Sequence, residues 1–474
     1  MSARNGVILR RAISSTLIVL TAVGFVTGCR VKDPPKTADI QQQGMAHVGA
    51  PGIWASAPTT PGWVMDGWLQ TFGDAQLNAL VDEAIAYNTD LRVGAARVEQ
   101  ARLYAKLAGA ALYPAVDGMA RGGGKVSDGS GLTGGAITVS WELDLWGRIR
   151  YGRAAAAADA ASSQADFEFA RQTIAATVAK SWMLALEARL QLVVASQLLD
   201  ASNQLVTLAE TRFNVGVGDE LDVAVARANV GAYRDSVRQL ELALNHAGRA
   251  LETVVGRYPA AAMQFGSPLP SFPGDIPAGL PSELLERRPD VIAAERRVAA
   301  AFYRVGEAKA ARLPRITLTT GVNAISSSLF VLQDRTNPVW NFGAGLLAPI
   351  FSGGALKTQV DIRTVQQKQA VAEYAAVGLR AFSDVEEALA TELAMRDRER
   401  ILSAQLVDSQ RALDIAQARY DIGAGDLRVV EQRLIALQAN RAALLRVQTE
   451  QRVQRINLHL ALGGSFAPPP PPKE

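Results

Sequence analysis

Ile137-Thr138-Val139-Ser140-Trp141-Glu142-Leu143-Asp144-Leu145 alternates without a break, with Ile, Val, Trp, Leu and Leu on one face and Thr, Ser, Glu and Asp on the other. A period of two is that of a strand with one apolar side. Two more stretches repeat it: Ile316, Leu318, Thr320 and Val322 against Thr317, Thr319, Gly321 and Asn323, and Trp340, Phe342, Ala344 and Leu346 against Asn341, Gly343 and Gly345. A fourth, glycine-rich and weaker, runs from about Val116 to Val126 and puts Asp117, Arg121 and Lys125 on one face. Apolar-outside alternation over about ten residues, with Trp141, Trp340 and Phe342 as interface aromatics, is the pattern of transmembrane β-barrel strands. A soluble sheet packed on helices alternates too. Beyond the N-terminal leader, however, no apolar run is long enough for a membrane helix. Four strands cannot close a barrel, since the smallest have about eight, and an open edge in lipid leaves backbone groups unsatisfied. The strands must therefore come from several copies of the chain; these residues leave two and three copies open.

Outward from the strands, the chain is a tandem duplication. Asn88-Thr89-Asp90-Leu91 through Tyr113-Pro114 matches Arg288-Pro289-Asp290-Val291 through Leu313-Pro314 at an offset of 200. Gly147-Arg148-Ile149-Arg150 matches Gly354-Ala355-Leu356-Lys357 at 207, as Arg212-Phe213-Asn214-Val215-Gly216-Val217-Gly218-Asp219 does Arg419-Tyr420-Asp421-Ile422-Gly423-Ala424-Gly425-Asp426. The seven extra residues of the second copy fall between Pro314 and Gly354. Each half reads as helix, two strands, very long helix, tight turn, helix. The first helix spans about Ala75 to Ala111, ending before Pro114. The proline-free, helically patterned run from about Gly147 to Val215 would extend roughly 100 Å. A heptad seam of Val178, Ala185, Leu192, Leu199, Val206 and Phe213 faces one of Val223, Val230, Val237, Leu244 and Leu251 on the returning helix. Such seams mean coiled-coil packing near the turn; a soluble helical bundle carries the same stripes.

The N-terminus has Arg4, Arg10 and Arg11 ahead of an apolar run from about Ala12 to Val26, which reads as a cleaved secretory signal over 1–28. Val26-Thr27-Gly28-Cys29 fits a lipoprotein box, so Cys29 is expected to carry diacylglycerol and an N-acyl chain, the two or more chains that stable anchoring needs. Cys29 is the only cysteine, which excludes a disulfide within the chain. The 49 basic and 46 acidic residues give +3, all of it from the three leader arginines, so charge does not argue for a nucleic-acid partner. His47, His246 and His459 lack ligand-like spacing, and no metal site or other cofactor is expected. No phosphate loop, nucleophile elbow or convergent acid/base set appears, so an enzyme is not expected. The organisation is then signal peptide 1–28, lipidated linker 29–62, first repeat 63–266, second repeat 267–466 and a Pro-rich tail 467–474.

The turns Val215-Gly216-Val217-Gly218 and Ile422-Gly423-Ala424-Gly425 must reverse the helices tightly, which the positive φ of glycine permits. Asp219 and Asp426 follow at N-cap positions.

Trp68-Leu69-Gln70-Thr71-Phe72-Gly73-Asp74, Glu286-Arg287-Arg288-Pro289-Asp290 to Arg312-Leu313-Pro314-Arg315, Asp144-Leu145-Trp146-Gly147-Arg148-Ile149-Arg150 and the two tip turns together resemble the TolC-like outer-membrane factors of tripartite efflux systems. The closer resemblance is to their NodT-type lipoprotein branch. The likeness covers nearly everything from about Trp63 to Phe466, although Ala461-Leu462-Gly463-Gly464-Ser465-Phe466 ends in Phe where the family has Trp. It implies an α+β membrane protein: a homotrimer whose twelve strands form an outer-membrane β-barrel, continued by a twelve-helix periplasmic α-barrel with a coiled-coil tip. A periplasmic adaptor (membrane fusion) protein and an inner-membrane RND transporter are the implied partners. Gly216, Gly218, Asp219, Gly423, Gly425 and Asp426 would then meet the adaptor. The family's gate, an apolar residue followed one turn later by an acidic one, falls on Leu427 and Glu431, with a register uncertain by one because the second turn is a residue shorter. Where the family often has Asp this chain has Glu431, and Leu434 stands in place of a usual Arg, which changes any latch contacts. The rival readings are an exit duct for proteins or glycans, and a periplasmic coiled-coil scaffold without a pore.

Overall fold

The computed structural model describes residues 31–49, 52–56, 64, 66–121, 133–266, 268–274, 276–279, 281–326 and 339–467. The expected leader, Cys29, the Pro468–Pro472 tail and the far end of the first strand lie outside them. In chain order the elements are α1 (Thr37–Gly44), a 3-10 turn (Trp68–Phe72), α2 (Ala75–Tyr87), α3 (Thr89–Ala110), β1 (Ala115–Arg121), β2 (Thr133–Leu143), α4 (Arg148–Asn214), α5 (Glu220–Val255), α6 (Pro281–Arg287), α7 (Pro289–Ala310), β3 (Arg315–Ser326), β4 (Val339–Leu347), α8 (Ala355–Asp421) and α9 (Leu427–Ala461). The long helices α4 and α8 have 67 residues each, and α3 and α7 have 22 each, so the duplication extends to element lengths.

The chain divides into two compact units, one drawn from Met1–Val48, Ala96–Ala165 and Ala293–Ala376, the other from Gly49–Ala95, Asp166–Ile292 and Val377–Glu474. In the first, four strands pair antiparallel in the order β1-β2-β3-β4. Val116↔Val139↔Thr320↔Phe342 and Ile137↔Val322↔Trp340 run across one face. Asp117↔Thr138↔Gly321↔Asn341 run across the other. Val116, Ile137, Trp340, Phe342 and Leu346 are all exposed, so the apolar face lies uncovered in the single chain, as a lipid-facing surface must. β1 and β4 each have one unpaired edge within the chain.

The strand expected to reach Leu145 stops at Leu143. Asp144 leaves the polar face to start α4: its carboxylate oxygens accept the amides of Ile149 and Arg150 at 2.9 Å each, and it pairs with the Arg150 guanidinium at 3.1 Å. An acidic group at a helix N-terminus satisfies donors that have no intrahelical acceptor.

The second unit corrects the expected single helix over Ala75–Ala111. It breaks at Asn88, which is extended (φ −59°, ψ 129°) and whose Oδ1 accepts the amides of Asp90 and Leu91, starting α3. The same break falls at Arg288, where the following Pro289 disfavours the helical conformation. Both breaks receive the end of a returning helix. Asn88 Nδ2 donates to the Val254 carbonyl at 2.8 Å, and Arg288 Nη1 to that of Ala461 at 3.4 Å. Gly256 (φ 94°) and Gly463 (φ 69°) close the two joints; a Cβ on Gly256 would lie 2.9 Å from the Tyr87 carbonyl oxygen. The core around them gathers Trp68, Phe72, Leu77, Trp182, Leu186, Leu251 and Ile456. Asp74 both caps α2 and accepts the buried Trp182 Nε1 at 2.8 Å.

Arg455 and His459 are both buried in this unit for structural reasons. Arg455, fully buried, donates to both oxygens of Glu392 (2.6 and 2.9 Å) and to the carbonyls of Pro273 and Gly274, with its guanidinium 4.5 Å from the Phe272 ring centre. It thereby pins the segment joining the two repeats. His459 stacks on Trp68 at 5.5 Å, and burial, reinforced by Arg455, lowers its pKa to about 3, so it is a neutral core residue.

Candidate functional site: the helix-turn tip and its seam

The seam predicted on the returning helix is observed: Val223, Val230, Val237, Leu244 and Leu251 are all buried or half-buried, as are the interleaved Ala226, Tyr233, Leu240, Ala247 and Val254. The coil ends at the tip in one apolar cluster drawn from all four helices there: Leu205 and Ala209 of α4, Val223 of α5, Ala416 and Tyr420 of α8, and Leu427, Val430 and Leu434 of α9.

The two reversals are the same turn. Gly216 N donates to the Phe213 carbonyl at 3.0 Å and Val217 N to that of Arg212 at 3.0 Å; Gly423 and Ala424 repeat this to Tyr420 and Arg419 at 3.0 and 2.9 Å. This crossed pair is the Schellman closure of a helix C-terminus. Its left-handed position is Gly216 in one turn and Gly423 in the other, both at φ 77°. Gly218 and Gly425 are needed for another reason than the one expected of them. Their φ is not positive, but a Cβ would lie 2.7 Å from Phe213 N or 2.9 Å from Tyr420 N, so only a missing side chain lets the turn pass. Asp219 and Asp426 cap α5 and α9, accepting from Leu221 N at 3.0 Å and Arg428 N at 2.8 Å. The Arg428 amide and guanidinium hold Asp426 below the usual carboxylate range.

Arg212 links the turns. Its guanidinium lies 4.5 Å from the Tyr420 ring centre and donates to the Tyr420 carbonyl at 3.3 Å. The duplicated Arg-aromatic dipeptide was visible in the sequence, but nothing in it says that one copy's arginine reaches the other copy's aromatic ring. Around the turns Val215, Val217 and Ile422 are exposed.

Leu427 is 2% exposed, inside the four-helix cluster, and Glu431 is 8% exposed. The Glu431 carboxylate accepts Asn229 Nδ2 of α5 at 3.1 Å. Burial raises its pKa, the Asn229 bond lowers it, and Asp222 adds to the rise. Both residues thus lie at the α5–α9 seam within one chain. Arg428, Val429 and Gln432 occupy the exposed side of the same turns. Among the described residues, no group of three or more His, Cys, Asp or Glu side chains could hold a metal ion.

A doubled helix–strand–strand–helix unit with a bare apolar sheet face and paired helical reversals narrows the possibilities to very few folds. The family model for outer membrane efflux proteins matches residues 80–257 and 280–464, one stretch in each repeat. The chain belongs to the outer membrane efflux protein family. It is similar to the pyoverdine export outer membrane protein OpmQ of Pseudomonas aeruginosa, 32% identical over 420 residues that cover 84% of this chain and 87% of that one. The cation efflux system protein CusC of Escherichia coli O6:H1 is 30% identical over 408 residues, covering 84% and 88%. Among solved structures, the open state of the MtrE outer membrane channel of Neisseria gonorrhoeae matches with a TM-score of 0.80 at 27% identity, covering 93% of this chain and 98% of that one. As a member of this family of channel proteins, the chain is a TolC-like outer-membrane channel that works as a trimer, combining a β-barrel and a helical barrel. It is the exit duct of a tripartite efflux pump, spans the outer membrane and extends into the periplasm, and works with an adaptor and an inner-membrane transporter.

Proposed function

We propose that this exit duct serves a proton-driven RND-type transporter that exports drugs or other small molecules, and that the adaptor grips the two tip turns. The observation that carries the docking reading is the pair of matching Schellman turns, each made possible by its glycines, fixed by crossed backbone bonds and an aspartate cap, and presenting Val215, Val217 or Ile422 to solvent. Rigid, exposed apolar tips lose little entropy on being covered. The NodT-type resemblance supports the RND assignment. Relatives named for cation efflux and for pyoverdine export indicate that one duct architecture takes chemically different cargoes. On this reading the transporter selects the cargo and the chain performs no chemistry.

The narrowing at the tip belongs to the first turns of α9, with Leu427 and Glu431 holding α9 against α5 so that the tip stays closed. Cys29 carries the lipid anchor, a reading that rests on the Val26-Thr27-Gly28-Cys29 box alone. The deciding experiment is a deletion strain: raised antibiotic susceptibility and raised intracellular accumulation of small solutes, both restored by the gene, support the proposal. Unchanged susceptibility together with loss of a secreted protein or glycan would instead support the secretion duct. Mass spectrometry of the mature N-terminal peptide tests acylation, since an unmodified Cys29 would refute it.

A further inference from the structure

The apolar band on the strands is too short for the membrane it has to cross. Its outermost full rows are Leu143↔Ile316↔Leu346, next to the helices, and Ile137↔Val322↔Trp340. Beyond the second row the same face carries only Gly135↔Ala324 and Thr133↔Ser326. The strand from Ile137 to Leu143 extends about 20 Å. A tilt of about 40° reduces this to roughly 15 Å across the bilayer, against about 25 Å for the lipid-facing band of a barrel. The missing height lies on the helix side. There the links that join strands to helices expose Tyr113, Leu145, Leu313, Ile350 and Phe351, the last two at 96% and 90%. Trp141, on the apolar face of β2, donates its indole N–H to the Leu112 carbonyl at 3.0 Å, which holds the link between α3 and β1 against that face.

Directly behind these links the charge changes. Residues 29–48, 96–165 and 293–376, the part that holds the strands, carry 21 Lys and Arg against 13 Asp and Glu, and the rest of the chain beyond residue 28 carries 25 against 33. A neutral total therefore hides a basic membrane end. In the links and the two helical turns adjoining them, Glu142 takes Arg148, Asp144 takes Arg150, and Arg304 pairs with Asp159. Lys106, Arg153, Lys309, Arg312 and Lys357 remain, all exposed and none with an ion-pair partner among the described residues. Only Glu307 and Asp361 oppose them on the same turns. Each of the five lies within two helical turns of a link, so they share one level to within about 11 Å. Bare cations one layer below bare apolar side chains match a phospholipid leaflet, with acyl chains above and phosphates beneath. A polyanionic wall polymer would meet the cations but leave Ile350 and Phe351 in water. We infer that the membrane border lies below the strands, with the links seated among the acyl chains of the periplasmic leaflet and Lys106, Arg153, Lys309, Arg312 and Lys357 forming a belt that binds the phosphates of anionic phospholipids.

The test is lipid binding by the full chain, immobilised as its trimer in a neutral detergent and challenged with radiolabelled phosphatidylglycerol or phosphatidylcholine. The wild type is expected to retain phosphatidylglycerol in preference. Lys106→Gln, Arg153→Gln, Lys309→Gln and Lys357→Gln together should weaken that binding about tenfold or more. Arg234→Gln, Arg249→Gln and Arg411→Gln, which remove exposed cations from α5 and α8 in the second unit, should leave it unchanged. Equal retention of the two lipids, or a loss matched by the second-unit variant, would overturn the belt. So would a belt variant that binds phosphatidylglycerol normally but no longer sediments with purified peptidoglycan. Should the belt variant fail to form trimers, the wild type alone still decides. Its phosphatidylglycerol binding is expected to fall several-fold as salt is raised from about 0.05 to about 0.5 M, and binding indifferent to salt would refute the pairing with headgroups. Depth is read separately, in vesicles of phosphatidylcholine with brominated acyl chains. The emission that Phe351→Trp adds to the wild type is expected to be quenched there, and emission equal to that in unbrominated vesicles would overturn the seating of the links.

Discussion

Replacing Leu427 and Glu431 by alanine removes the two contacts by which the first turns of α9 hold the tip. Leu427 is buried among Leu205, Val223, Tyr420 and Val430, and deleting such a side chain costs about 2–5 kcal/mol. Only the part lost when the tip loosens acts on the open–closed balance. If opening strips Leu427 of half its cluster, the shift is about 1–2.5 kcal/mol, or roughly 5- to 60-fold in the open:closed ratio at about 1.4 kcal/mol per decade. Glu431→Ala also removes the acceptor of Asn229 Nδ2 and so unties α9 from α5. Single-channel recording of the purified trimer in planar bilayers should show higher mean conductance for the double variant. Unchanged conductance would rule the seam out as the closing element.

The same carboxylate fixes a pH response. Burial holds Glu431 above its ordinary value of 4.5, so the packed tip binds the proton more tightly than a loosened one. The closed packing is fully supported below the ordinary value and loses that support as pH rises through the raised one. Acidification across this window should therefore lower conductance, and Glu431→Gln should flatten the response. An acid-induced increase carried by Glu431 would refute the reasoning.

Three further outcomes follow from the same packing. Glu392→Ala strands a fully buried Arg455 and should cost about 3–5 kcal/mol, whereas Glu392→Leu with Arg455→Met should cost less than Glu392→Ala alone; denaturation midpoints of the detergent-purified protein read both. Asp74→Ala loses a helix cap, about 1 kcal/mol, and leaves the Trp182 indole N–H without its acceptor, about 1–3 more, so it should destabilise more than Asp219→Ala, whose carboxylate only caps α5. At the tip, Gly216→Asn should keep adaptor co-purification because Asn tolerates the left-handed region, while Gly218→Asn should abolish it through the 2.7 Å clash with Phe213 N; equal binding by both variants would contradict the close-approach argument.

The period-two stretches, the long uninterrupted helices, the heptad seam and the twin turns were readable because each is a repeating local pattern that one kind of backbone satisfies. Asn88 was not readable as a helix break: a lone Asn in a helical run is ordinary, and its break comes from a distant carbonyl, that of Val254, arriving at its amide. Asp144 looked like one more polar strand position because alternation cannot say where a strand stops, and its capping bonds reach residues five and six further on. The gate positions were placed by resemblance, which supplies residues but no side-chain direction. Whether Leu427 faces an axis or its own neighbours depends on how four helices rotate against one another, and the sequence of one helix does not contain that angle.

The duplication makes divergence between the copies informative. Where both copies face the same neighbour within the chain, they have kept the same device: the tip turns, the aspartate caps, and the glycine closing each joint at Asn88 and Arg288. Where one copy faces the chain and the other faces a different molecule, they have parted. Trp146 Nε1 bolts the first repeat to the Pro314 carbonyl at 2.7 Å, and its counterpart is Gly353; Asp159 pairs with Arg304, and its counterpart is Gln366. The internal seam is therefore fastened by a hydrogen bond and an ion pair whose residues the second copy of the repeat does not keep.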